Sequence, residues 1–130
     1  EPIRHDKLRA NIALNGLEDR ITVHPYALGA ERGGATLVGH NRLEPSGGDF
    51  HVETLDSHEL VGASVLKIDV EGMEPYVIEG GRETITRERP FIYAEAWDDD
   101  ARQTITDLLE PLGYVLGQRF RWHQNRWDPC

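Results

Sequence analysis

Apolar positions follow two periods along this chain, one helical and one extended. Residues 3–17 predict a helix, because Leu8, Ile12 and Ala13 fall on one face and Asn15-Gly16 supplies a stop. Residues 20–28, RITVHPYAL, alternate at Ile21 and Val23 and predict a strand. A GAERGG turn follows, then short strands at ATLVGH and HVETL, separated by a loop over 41–50 that is rich in proline, serine and glycine. Val65 to Val70 predicts a buried strand. After it, Glu74-Pro75 opens a helix that places Val77, Ile78, Gly81 and Ile85 on one face. Pro90 punctuates, FIYAEAW predicts a second buried strand, and Asp98 to Asp100 mark the start of a helix with a stripe at Ile105, Leu108, Leu109 and Leu112. Gly113 ends that helix, and residues 114–127 predict two antiparallel strands. Helix and strand alternate through most of the chain, the pattern of an α/β domain with a largely parallel sheet.

Charge interrupts this pattern at one place. Lys67, Asp69 and Glu71 alternate in and beyond the Val65–Val70 run, so they share a face if the strand stays regular that far. In parallel sheets ligands bind beyond the carboxyl ends of the strands, and Asp69, Glu71 and Glu95 stand there. Converging carboxylates could accept a proton from a hydroxyl, hold a divalent cation, or receive a hydrogen bond from a cationic ligand. Equally, Asp69 could cap the next helix and Glu71 could be solvated. A lysine inside a buried strand needs a partner. Glu95 on the neighbouring strand is the candidate, and a structural ion pair explains Lys67 better than direct catalysis.

Composition narrows the function classes. The 130 residues suit one domain, drawn as a single unit over 1–130. No apolar run approaches the roughly 20 residues of a membrane helix, and no signal peptide is visible, so no membrane partner is expected. The single cysteine, Cys130, excludes an internal disulfide and favours a cytoplasmic protein. A formal charge of -9 opposes general phosphate-backbone binding. The arginine–tryptophan mixture at 119–127 could stack bases, but hairpin packing explains it as well. The six histidines lack metal-ligand spacing, and neither a phosphate-binding loop nor a Gly-x-Ser-x-Gly elbow is present. The chain begins Glu1-Pro2 and its only methionine is Met73, so it is expected to be processed or part of a longer polypeptide.

The stretch VLKIDVEGMEPYVIEGGRETITRERPFIYAEAW resembles the signature half of the FkbM-like methyltransferases. The matching pieces are Lys67 to Gly72, Gly80-Gly81, Arg89-Pro90 and Glu95; LRANIALNGLEDRITVHPYALGAERGGATL and VETLDS are similar to the preceding segments. The resemblance runs to about residue 115. It implies a Rossmann-like class I fold, S-adenosylmethionine as cofactor, and methyl transfer to a hydroxyl oxygen of a sugar or small metabolite. It implies that Glu1 holds the cofactor ribose, that Tyr26 and Ala27 bracket the adenine, and that Asp69 lies beside the methionine part and the acceptor. Glu71 and Glu95 would orient or deprotonate that acceptor, with a divalent cation at Asp69 and Glu95 a less favoured addition.

The sequence departs from the family pattern before Glu1, where the glycine-rich cofactor loop and the N-terminal strands are missing. The strand at 20–28 is then expected to have no sheet neighbours, and the one at 65–70 an open edge. The chain made alone is expected to be poorly stable and inactive. The alternative reading is a non-catalytic α/β module that binds a partner or a sugar. The acceptor's identity and the oligomeric state are not legible in the sequence.

Overall fold

The computed structural model describes residues 2–38, 42–45, 48, 50–123 and 126–129. Helix α1 spans Pro2–Leu14. Four strands follow: β1 (Ala27–Leu28), β2 (Gly33–Val38), β3 (Arg42–Pro45) and β4 (Phe50–Glu53). A 3-10 turn at Leu55–His58 leads to β5 (Val65–Ile68), α2 (Glu74–Glu79), α3 (Arg82–Glu88), β6 (Phe91–Ala94), α4 (Asp99–Leu109), β7 (Phe120–His123) and β8 (Arg126–Pro129). The strands form three sheets in the orders β1-β4-β2-β3, β5-β6 and β7-β8.

The mixed α/β character agrees with the sequence pattern. Its parallel part is narrower than expected: β1–β4 and β5–β6 pair parallel, whereas β2–β3, β2–β4 and β7–β8 pair antiparallel. The extra antiparallel pairing arises because residues 42–45, expected as loop, form β3 against β2. The expected strand at 20–28 is reduced to Ala27–Leu28, and it does have a neighbour, since Ala27 is in register with Val52. Residues 21–24 make no ladder. In α1, Ile12 is buried, but Leu8 is 47% exposed and Ala13 is also exposed, so the expected apolar face packs at one residue only.

The core gathers on one side of β5–β6. Ile68, Val77, Ile78, Ile85 and Ile105 are buried together, with Leu66, Ile92 and the α4 leucines against them. The other side of the pair is open. Val65 and Phe91, in register, are 62% and 78% exposed, and Tyr93 is 58% exposed. Both strands were expected to be buried. Alternation sends half of each strand's side chains to a face that nothing among the described residues covers. Among the described residues, β5 pairs with β6 alone.

The expected helix after Glu74 is two helices, because Gly80-Gly81 break it. Gly81 caps α3 without a side chain, and a Cβ there would lie 2.8 Å from the Leu55 Cδ2 atom. The cap comes from elsewhere: the Asp56 carboxylate accepts the N–H groups of Glu83 (3.1 Å) and Thr84 (2.7 Å). The Asp56 N–H in turn donates to Gly80 O at 2.9 Å. One residue of the 3-10 turn thus joins two consecutive helices that are remote from it in sequence. Asp56→Ala is expected to cost about 1–2 kcal/mol, as loss of a helix cap does, and a chemical-denaturation midpoint equal to wild type would contradict this.

Helix α4 starts and stops as read. The Asp98 side chain accepts from Ala101 N–H at 2.8 Å, and Gly113 takes φ +81° after a final 3-10 turn. Arg89 then ties this end to the α3–β6 junction. Its guanidinium donates to Leu112 O and to Gly113 O and lies 4.5 Å from the centre of the Tyr114 ring. The Tyr114 hydroxyl donates to Pro90 O at 3.0 Å.

Candidate functional site

Strands β5 and β6 run parallel, so their carboxyl ends lie side by side, and the Glu95 N–H donates to Ile68 O at 3.0 Å across the gap. Asp69 follows Ile68 and Glu95 follows Ala94, so two of the expected site residues leave adjacent strands together. Glu71 arrives by another route. The strand does not stay regular beyond Ile68; Glu71 sits at φ +56° and Gly72 at φ +93°. Alternation therefore does not place Glu71. A left-handed turn does, and a non-glycine residue in that conformation commonly marks a functional site.

Lys67 corrects the expectation built on burial. Its side chain is 70% exposed, and its Nζ pairs with Asp69 Oδ2 at 2.5 Å rather than with Glu95. The outer face of β5 is uncovered, so the ammonium stays in water and its partner is the next residue on the same face. Glu95 is half-buried without that cation. Burial raises its carboxyl pKa above the usual range, and the charges of Asp69, Glu71 and Glu74 raise it further, while a hydrogen bond with Trp97 opposes the rise. The four carboxylates therefore share one electrostatic environment. Such a field suits a cationic group, and a half-buried carboxyl of raised pKa suits proton exchange with a hydroxyl.

The residues expected on the cofactor side are placed less simply. Glu1 lies outside the described residues. Ala27 belongs to β1, and Tyr26 precedes it in a cluster of aromatic rings. The Tyr26 ring stacks on His58, with centres 5.0 Å apart and planes 4° from parallel. Its hydroxyl lies 2.6 Å from His24 Nδ1 and 3.1 Å from His58 Nδ1. With one proton, it can donate to one imidazole and must accept from the other. One face of Tyr26 is thus committed to His58. Ala27 lies in the sheet of β1 and β4 while Asp69 follows a strand of another sheet, and no described hydrogen bond joins Asp69 to Tyr26 or Ala27.

Glu53 was missed by the sequence reading. It is 8% exposed and receives both Arg32 Nε (2.6 Å) and Nη2 (3.2 Å), with His51 Nε2 at 2.6 Å and Ser57 Oγ at 3.1 Å. The Arg32 and His51 bonds hold its pKa at about 2, against the effect of burial. A depressed carboxylate contributes stability that is present above its unfolded pKa, near 4.5, and is lost as the pH falls toward about 2. The acid limb of a melting-temperature profile is therefore expected to flatten across that window in Glu53→Gln; an unchanged limb would refute the hub. The only signal in the sequence was an alternating His51-x-Glu53 on a short strand. Arg32 is remote from it in the chain and 67% exposed, so the bridge is partly screened by water.

Among the described residues no group of three or more His, Cys, Asp or Glu side chains is arranged to hold a metal ion. No described helix is long and apolar enough to cross a membrane. A groove of about 400 Å³ lined by Arg9, Ile12, Glu18, Ile21, Thr22 and Val23 includes none of the candidate site residues. The side chains of 121–130 lie outside the described residues, so the arginine–tryptophan stretch is placed only as the β7–β8 hairpin.

A parallel strand pair with a carboxylate after each strand, in a mixed α/β chain, is an arrangement shared by several enzyme classes. The match to known proteins singles one out. Residues 1–116 match the family model described as the methyltransferase FkbM domain, and the chain belongs to that family. No curated protein and no solved structure matches the chain.

Proposed function

We propose that this chain carries the acceptor side of an S-adenosylmethionine-dependent O-methyltransferase that acts on a hydroxyl of a sugar or other small molecule. The observation that carries this reading is the meeting of Asp69, Glu71 and Glu95 beyond β5 and β6, where burial, and after it the charges of Asp69 and Glu71, raises the Glu95 pKa. S-adenosylmethionine supplies an electrophilic methyl group. Glu1 would hold its ribose, Tyr26 and Ala27 its adenine, and Asp69 its methionine part. Glu95 and Glu71 would orient the acceptor hydroxyl, and the ionised form of Glu95 would take its proton. Much of the rate would come from holding the two reactants aligned. A divalent cation at Asp69 and Glu95 is not favoured, since Asp69 already pairs with Lys67.

We further propose that a glycine-rich cofactor loop is supplied by polypeptide outside this sequence, through a strand that pairs with the free edge of β5. Two features support this: β5 has one partner among the described strands, and the β5–β6 face with Val65, Phe91 and Tyr93 is exposed. The cytoplasmic location and the absence of nucleic-acid and membrane partners stay part of the same proposal.

The test is transfer of a labelled methyl group from S-adenosylmethionine to a panel of sugars, polyols and hydroxylated metabolites. It is run with the 130-residue chain and with a longer product of its gene. Transfer by the longer product, lost in Asp69→Asn, is expected. Cofactor binding without transfer to any hydroxyl would sink the O-methyltransferase assignment and favour a binding module.

A further inference from the structure

Glu74 was read from sequence only as a helix start, yet its surroundings are unusual for that role. An acidic residue in a first helical turn is ordinarily solvated and favoured by the helix dipole. Glu74 is 2% exposed, and its Oε1 accepts the Val70 N–H at 2.9 Å. Burying a carboxylate is costly unless it is hydrogen-bonded, so this bond needs a role that offsets the cost. It closes the turn between β5 and α2, where Met73 N–H also donates to Val70 O at 3.3 Å. Between Val70 and Met73 stand Glu71 at φ +56° and Gly72 at φ +93°. The left-handed Glu71 persists only if its neighbours over-determine it.

We propose that Glu74 is a positioning residue: its buried carboxylate locks the Val70–Met73 turn, presents Asp69 and Glu71 at the end of β5, and adds a fixed negative charge to those acting on Glu95. This rests on the reading of Asp69, Glu71 and Glu95 as the acceptor side. The groups that act on Glu95 are Asp69, Glu71 and Glu74, with Trp97 as hydrogen-bond partner; Lys67 is engaged by Asp69. Glutamate is suited to both tasks at once. An amide at 74 could still accept from Val70 N–H but would bring no charge, whereas alanine would do neither.

The experiment compares Glu74→Gln and Glu74→Ala with wild type. Its readouts are the carbon-13 titration of the Glu95 carboxyl, the backbone scalar coupling of Glu71, and methyl-transfer rate against pH. In Glu74→Gln the Glu71 coupling is expected to stay, while the Glu95 midpoint and the acid limb of the rate profile both move to lower pH. In Glu74→Ala the Glu71 coupling is expected to change as well, with loss of transfer; if that variant does not fold, Glu74→Gln decides. A Glu95 midpoint unmoved in Glu74→Gln overturns the proposal, as does an unchanged Glu71 coupling in a folded Glu74→Ala. Both spectroscopic readouts are independent of turnover. A protein that shows the expected shifts but methylates nothing would therefore refute the proposed function and leave the role of Glu74 standing.

Discussion

Gly80→Ala is expected to be severely destabilising, although it adds a single methyl group. Gly80 follows α2 with φ -75°, a conformation open to any residue, so backbone freedom is not the reason for glycine. Propensity even favours alanine, by up to about 1 kcal/mol in a helix. The constraint is a close approach. A Cβ at Gly80 would lie 2.0 Å from Gly29 O and 3.2 Å from Ala30 Cα, both backbone atoms that cannot rotate away. Neither partner is free to retreat: Gly29 N–H donates to Glu53 O at 3.0 Å, and Gly80 O receives Asp56 N–H at 2.9 Å. This is where the β1–β4 pair meets α2. Relieving the clash means parting them, at a cost of about 3 kcal/mol or more, the upper end for overpacking. Against a total stability of about 5–15 kcal/mol, that would leave a marginal protein. Urea unfolding measures it; a midpoint at or above wild type would mean the two backbones do not approach this closely.

Glu95→Gln is expected to separate activity from stability. In its proposed role of taking the acceptor proton, Glu95 is expected to lower methyl transfer by about 10²- to 10⁴-fold when lost, the usual range for a general acid–base residue. The stability effect has the opposite sign. Glu95 has a raised pKa in the fold, so its favourable neutral form is fully present below the unfolded value, and that contribution is lost as the pH rises through the folded value. As the pH rises through the folded value, the ionising carboxylate comes to face Asp69, Glu71 and Glu74, and the amide removes that repulsion. The variant should then melt higher than wild type at about pH 7 and no differently at about pH 3, where both side chains are neutral. A variant that is inactive and also less stable at neutral pH would show that Glu95 supports the fold rather than the chemistry. A fully active one would remove it from the site.

Much of the architecture was legible because it is local. The alternation from Val65 to Ile68, the Val77, Ile78 and Ile85 stripe, the Asp98 cap and the Gly113 stop each depend on neighbours a few residues away. The periods of strand and helix decide these regardless of the remaining chain. The motif from Lys67 to Gly72, with Glu95, carried the family for the same reason: its residues are few and their spacing is short.

Whatever depended on which surfaces meet was decided by the tertiary structure. Lys67 was expected to be buried against Glu95, but exposure depends on what covers a strand, and the outer face of β5 is open. Glu71 was expected to continue the alternation, yet it sits in a left-handed turn beside Val70, whose N–H donates to the buried Glu74. Glu53 gathers Arg32, His51 and Ser57, and Asp56 caps a helix 27 residues away, because the fold brings together segments that no period in the sequence relates. By itself the sequence determined the elements around β5, β6 and α4, the carboxylates at the strand ends and the family. The fold decided which carboxylates face one another and which face water, because their electrostatics depend on separation and burial in space.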